Sequence, residues 1–165
     1  MRDAGYWIRL LRLRKHPEGG YYREVYRAGE TAGERGLPRR YRGRRAWATS
    51  IYYLLDGKSV SRFHRLKSDE TWYFHTGDRL VIHTITPRGR YGRVVLGPRT
   101  GGPAAFQCTI PRGTWFGATV GRGGRCTLVS CAVAPGFDFS DFEMGHAEHL
   151  KKLCPRASRW IERLT

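Results

Sequence analysis

The stretch Gly57–Gly77, GKSVSRFHRLKSDETWYFHTG, decides how this chain folds. It reads as two short strands joined by a polar turn, with His64 on the first strand and Glu70 opening the second. A glycine closes it seven residues after the glutamate. A histidine and a carboxylate on adjacent strands can face one interior, where they make a candidate site for proton transfer or metal binding.

Outward from this stretch the chain is strands and turns. Toward the C-terminus, Leu80–Thr86, Tyr91–Leu96, Phe106–Ile110, Thr114–Val120 and Arg125–Ala134 each end at a glycine or proline cluster. Before it, Ala46–Leu55 is a buried-type run stopped by Asp56-Gly57. Some eight strands punctuated every ~8–12 residues define an antiparallel sandwich or barrel, not a βαβ fold. Further upstream, YYREVYR (Tyr21–Arg27) alternates, with Tyr22, Glu24 and Tyr26 on one face, and suits a sheet or a subunit interface. Tyr6–Arg14 predicts a short helix that must stop at HPEGG, because Pro17 holds His16 extended. Residues 28–45 are rich in Gly, Arg and Pro without periodicity and read as a long mobile loop. The tail 146–165 carries a helical pattern interrupted at Pro155. The whole reads as a single domain over 1–165: residues 1–45 (helix, strand and basic loop), an all-β core over 46–145, and a helical tail.

Composition narrows the function classes. The 21 aromatics and 40% hydrophobic residues support a packed core. No apolar run approaches the ~20 residues that span a bilayer, and the N-terminus has no signal-peptide pattern, so the expected location is cytoplasmic. Cys108, Cys126, Cys131 and Cys154 lack any C-x-x-C spacing and read as reduced, packed thiols. The net charge is +16, and residues 1–45 hold 13 Lys or Arg against 5 Asp or Glu. That balance attracts phosphate, nucleic acid or anionic membrane. Yet arginine outnumbers lysine 25 to 5, the pattern of a coding bias, and no aromatics interleave with the arginine run. Nucleic-acid binding therefore ranks last.

The pattern resembles the cupin superfamily, small double-sheet jelly rolls with a ligand pocket in the barrel mouth. The first cupin motif is a glycine, a His-x-His pair, a glutamate and a glycine. Gly57, His64, Glu70 and Gly77 fit it, with one extra residue after the first glycine and Leu66 where the second histidine belongs. The second motif, Pro-x-Gly-x-x-His, is Pro111-Arg112-Gly113-Thr114-Trp115-Phe116, with Phe116 in the histidine's place. More specifically, HPEGGYYREVYR, TSIYYLL, FHRLKSDETWYFHTGD, IPRGTWFGA and LVSCAVAPGFDFSDFEMG, in this order, resemble the fifth cupin family. The resemblance implies a double-stranded β-helix with a short N-terminal helix and C-terminal helices, a homodimer, and likeness to the deoxysugar-nucleotide epimerase cupins.

Two of the four usual metal ligands are thus apolar, which leaves His64 and Glu70 as the only metal candidates in the motifs. Counting alternation from Glu70, Trp72 and Phe74 share its face and His75 does not; His83 is the other histidine that parity would have to turn inward. The expectation is a cofactor-free acid–base site. His64 is the natural base, oriented by Glu70 or by Asp138, Asp141 or Glu143, and Tyr52 is the expected acid, with Tyr22 and Tyr53 as further candidates. Arg23, Trp72, Gln107, Trp115, Phe116 and Asp141 make up the expected ligand-binding set. The ligand class is a small anionic carbonyl compound or nucleotide-sugar held by a guanidinium. A non-catalytic ligand-binding cupin is the alternative, and a metal-dependent oxygenase ranks below it.

Overall fold

A computed structural model describes residues 2–98 and 104–165. The chain is mostly antiparallel β-structure, and its elements in order are helix α1 (Ala4–Leu10), β1 (Arg14–Lys15), β2 (Tyr21–Arg27), β3 (Thr31–Ala32), β4 (Arg45–Ala46), β5 (Thr49–Asp56), β6 (Val60–Leu66), β7 (Asp69–Gly77), β8 (Leu80–Ile85), β9 (Tyr91–Leu96), β10 (Gln107–Ile110), β11 (Trp115–Val120), β12 (Cys126–Ala134), β13 (Phe142–Met144), α2 (Ala147–Leu153) and α3 (Ser158–Arg163). Two sheets face each other, one ordered β1-β2-β5-β12-β7-β10 and the other β13-β6-β11-β8-β9. The opening stretch does what its pattern implies: β6 and β7 are consecutive, but each enters a different sheet, so His64 and Glu70 approach one interior from opposite walls.

Three apolar layers hold this arrangement. Between the sheets, Tyr53, Leu55, Trp72, Ile82, Phe116 and Val129 form the main core. Outside the second sheet, Phe63, Ile85 and Trp115 pack under Leu150 and Ile161 of α2 and α3. Outside the first sheet, α1 lays Trp7 and Ile8 on Leu54 and Leu128. Strand alternation explains the division, since successive side chains on one strand serve opposite layers. The break of the tail at Pro155 is the junction between α2 and α3, where a single 3₁₀ turn intervenes.

Residues 28–45 differ from the expected mobile loop. β3 pairs with β4, and the segment is pinned at two points. Tyr41 Oη lies 2.8 Å from Ser68 Oγ. Arg45 donates from Nε and Nη2 to the two Asp141 oxygens at 2.6 and 2.8 Å, in a salt bridge buried on both sides. A bulge between Glu24 and Tyr26 in β2 also alters the expected alternation: Arg27, not Tyr26, joins Tyr22 and Glu24 on the inner face. Val25 and Tyr26 are exposed. No helix among the described residues is long and apolar enough to cross a membrane.

Candidate functional site

A cavity of about 390 Å³ lies between the sheets. Its walls include Tyr22, Tyr53, Trp72, Phe137 and Phe142; His16, Glu18, His64 and Glu70 form its central polar group, and Arg14, Glu24, Arg27 and Asp138 also line it. The residues that sequence reasoning passed over, His16 and Glu18, come from the HPEGG segment. That segment is not a free turn. Gly19 and Gly20 both adopt positive φ, +113° and +68°, and a Cβ at either would strike the carbonyl oxygen of Val60 or Leu54. Only glycine lets the chain press this closely on β5 and β6. Once there, the Arg62 amide donates to the Glu18 carbonyl at 2.9 Å, and the Arg62 guanidinium donates to the Pro17 carbonyl. Tyr53 donates its phenol to the Gly19 carbonyl at 2.8 Å.

The segment thereby brings the Glu18 carboxylate against His64, with Oε2 3.2 Å from Nε2. The other ring nitrogen, Nδ1, lies 2.7 Å from the Arg62 carbonyl oxygen. A carbonyl only accepts, so Nδ1 carries a hydrogen and Nε2 is the nitrogen left to bind or release a proton. Nε2 and the Glu18 carboxylate oxygen face each other across this contact, so a proton taken up between them is held by both groups. Ser61, fully buried, donates to Glu18 Oε1 at 2.8 Å. His16 sits 3.4 Å from the same Glu18 Oε2. Its Nδ1 accepts the Glu18 amide at 3.3 Å. Burial, resisted by the Glu18 charge and aided by His64 and Arg14, lowers its pKa, so His16 stays neutral.

Glu70 faces the same cavity from β7. Burial first, then the charge of Glu18, pushes its pKa up to about 8, against the opposing hydrogen bond from Trp72 Nε1 to Oε2 at 3.0 Å. Trp72 is the one protein donor or acceptor that meets this carboxyl among the described residues. At neutral pH the cavity therefore holds the Glu70 carboxyl protonated by its surroundings, beside the Glu18 carboxylate that faces an imidazole. The sign of the linkage is testable. The unfolded chain releases the Glu70 proton near the ordinary value of 4.5, whereas the folded chain keeps it to about 8, so stability falls as pH rises through that interval. The Glu70→Gln variant should lose this decline, measured as the urea midpoint across the pH range; an unchanged slope would contradict the protonated carboxyl.

Strand parity places the expected site residues unequally. His64, Glu70 and Trp72 meet at the cavity. Phe116 packs its ring against that of His64, centroids 4.1 Å apart, within the core. Tyr52 needs correction as the acid: on β5, Thr49, Ile51 and Tyr53 face the cavity, and Tyr52 turns to the outer face beside His75. Tyr53 takes the inward place, and burial raises its pKa well above 10.0, which keeps the phenol protonated. Arg23 pairs with Tyr52 in register and lies on the same outer face. Gln107 is exposed on the edge strand β10, opposite Tyr73. Trp115 points away from the cavity to the helical layer, with the Arg65 guanidinium 4.4 Å over its ring. Asp141 is engaged by Arg45 and Lys67 outside the cavity. Of the other carboxylates weighed, Asp138 reaches the cavity wall and Glu143 pairs with Arg65 elsewhere. His75 lies outward on Ser130, and His83 is buried between Tyr91 and Trp160.

The residues do not fit the metal centre usual for this fold. Leu66 and Phe116 occupy two of its four ligand positions, and both nitrogens of His64 are committed, to Arg62 and to Glu18. No group of three or more His, Cys, Asp or Glu among the described residues is arranged to hold a metal ion.

Two facing antiparallel sheets enclosing a side-chain-lined cavity make this protein a cupin. The comparisons narrow that to a family. The model of the fifth cupin family, described as cupin superfamily (DUF985), matches residues 5–145, and the chain belongs to it. Two solved structures are similar over their whole length. A Shewanella oneidensis protein is 36% identical, with 100% of this chain and 98% of that one covered and a TM-score of 0.89. A hypothetical protein from Leishmania major is 39% identical, with 99% of each chain covered and a TM-score of 0.87. Oxalate decarboxylase from Bacillus subtilis, at 16% identity and a TM-score of 0.55 over 92% of this chain and 36% of that one, shares the fold alone. None of the curated proteins matches.

Proposed function

We propose that this cupin binds a small carbonyl compound in the inter-sheet cavity and isomerises it by proton transfer. The observation that carries the reading is the pairing of two carboxyl groups with opposite tendencies around one cavity: Glu18 against His64, and Glu70 held protonated to about pH 8. In this reading the Glu18–His64 pair removes a proton from the carbon beside the carbonyl. Glu70, a neutral donor at physiological pH, hydrogen-bonds the carbonyl oxygen and stabilises the charge that develops there. Return of the proton to the other face of the same carbon completes an epimerisation. Return to the neighbouring carbon, with Glu70 giving its proton to the carbonyl oxygen and taking one from the adjacent hydroxyl, completes an isomerisation, and in both cases the groups are restored. His64 keeps the role read from the sequence, while Glu18 replaces Glu70 as its partner and Glu70 replaces Tyr52 as the acid.

Solvent-deuterium incorporation tests this without knowledge of the product. The protein is incubated in D₂O with phosphorylated and nucleotide-linked keto and aldo sugars, and ligand mass is read over time. A gain of one mass unit that His64→Gln abolishes supports proton transfer. A ligand that binds saturably and leaves unlabelled and unchanged instead supports the second reading, a binding cupin, which the cavity also permits.

A further inference from the structure

We infer that a second groove, bordering the cavity, is a subsite for a phosphate or diphosphate group. The groove has a volume of about 360 Å³. Four cationic side chains, Arg40, Arg65, Lys67 and Arg112, line it against two carboxylates, Asp141 and Glu143. Asp141 is already held by Arg45, which lies in a buried salt bridge with it, so positive charge is in excess at the groove. The four cations converge from separate parts of the chain: the 37–44 segment, the end of β6, and the turn between β10 and β11.

Three of them are held in place rather than waving in solvent. Arg65 is bonded from Nε to Glu143 at 2.8 Å and lies over the Trp115 ring. Lys67 Nζ is 3.1 Å from both the Ser140 carbonyl and Asp141 Oδ1. Arg40 donates from Nε to the Lys67 carbonyl at 2.9 Å and stacks on Tyr41. The Arg112 guanidinium meets no acceptor among the described residues, although its backbone amide is fixed to Asp69 at 2.8 Å. Arg65 spends Nε and Nη2 on Glu143, so the donors that face a phosphate's oxygens in this concavity come chiefly from Arg112 and from the Arg40 nitrogen that Lys67 and Tyr41 leave open. A diffusely basic surface would scatter them.

The groove and the cavity share Leu66 and Phe142 in their linings. A single ligand with its carbonyl-bearing end in the cavity and its phosphate among these cations would lie across these two side chains. The ligand class is a phosphorylated or nucleotide-linked carbonyl compound; only this connection to the carbonyl end rests on the function proposed above, and the anion subsite stands without it.

The test is calorimetric titration of the full chain with pyrophosphate, alone and then with a sugar phosphate, at low and at physiological salt. In Arg40→Ala/Arg112→Ala, which alters only exposed side chains, the pyrophosphate dissociation constant should rise at least about tenfold, the loss expected for charged hydrogen bonds. Arg156→Ala, an exposed arginine outside the groove, should leave it unchanged, and so should His64→Gln. Equal weakening by Arg156→Ala, or no saturable binding of pyrophosphate, would overturn the subsite. So would a single-stranded oligonucleotide that binds through Arg40 and Arg112 and that pyrophosphate fails to displace. Saturable pyrophosphate binding by wild-type protein that shows no deuterium exchange would retain the subsite and reject the isomerase reading, so the two failures are distinguishable.

Discussion

Glu18→Gln is expected to slow solvent-proton exchange into the bound ligand by about 10²–10⁴-fold, the range that a positioned acid or base contributes. The amide keeps the size of the side chain, and Ser61 can still bond to its oxygen, so the cavity keeps its shape. What is lost is the ability to hold a proton between Glu18 and Nε2 of His64. Ligand affinity should change little by comparison, because the variant removes a proton carrier rather than a wall. His64→Gln should lower the rate to a similar level, and the double variant little further, since groups that act as a unit are not additive. A Glu18→Gln protein that exchanges at the wild-type rate would remove the pair from the chemistry.

The second large effect is on stability. Asp141→Ala should destabilise the fold by about 3–5 kcal/mol, the usual result of leaving one member of a buried ion pair without its partner. Here the stranded group is the Arg45 guanidinium, buried where β4 meets the segment after β12. Arg45→Met/Asp141→Leu should recover much of the loss, because removing both charges also removes both desolvation penalties. Burial alone would raise the Asp141 pKa, but the hydrogen bonds from Arg45 and Lys67 outweigh it and bring it below the ordinary value. This contribution to stability is therefore complete above the unfolded-state pKa and fades as the pH falls through the lower folded one. Chemical denaturation of the two variants measures it; a single variant as stable as the wild type would mean that the pair does not pin the 28–45 segment.

The inward pair His64 and Glu70 was legible because period-2 alternation in β6 and β7 sets their direction locally, and the same counting turned His75 outward. Tyr52 and Tyr53 were harder. They are adjacent, so one step in parity exchanges cavity for outer face, and the run Ala46–Leu55 is apolar on both sides. The bulge at β2, which swings Arg27 inward, leaves no mark in YYREVYR. Glu18 was hidden for a different reason. HPEGG carries every local sign of a turn, and what makes it a wall of the cavity is its contact with Val60, Arg62 and Leu54, some forty residues on. The available signal was the company it keeps: two titratable residues beside a glycine pair directly before a strand. Likewise the arginine-rich segment gives no local hint that Arg45 will be buried, since its partner Asp141 lies near the other end of the chain.

The central claim is that the cavity keeps the Glu70 carboxyl protonated while Glu18 is set against His64. A carbon-13 NMR titration of the glutamate carboxyl groups tests it most directly. One carboxyl should titrate near pH 8 and vanish from the spectrum of Glu70→Gln, and its midpoint should fall in Glu18→Gln, where the neighbouring negative charge is gone. Glutamates that all titrate in the ordinary range around 4.5 would contradict the account, leaving a cavity lined by carboxylates with no neutral donor among them.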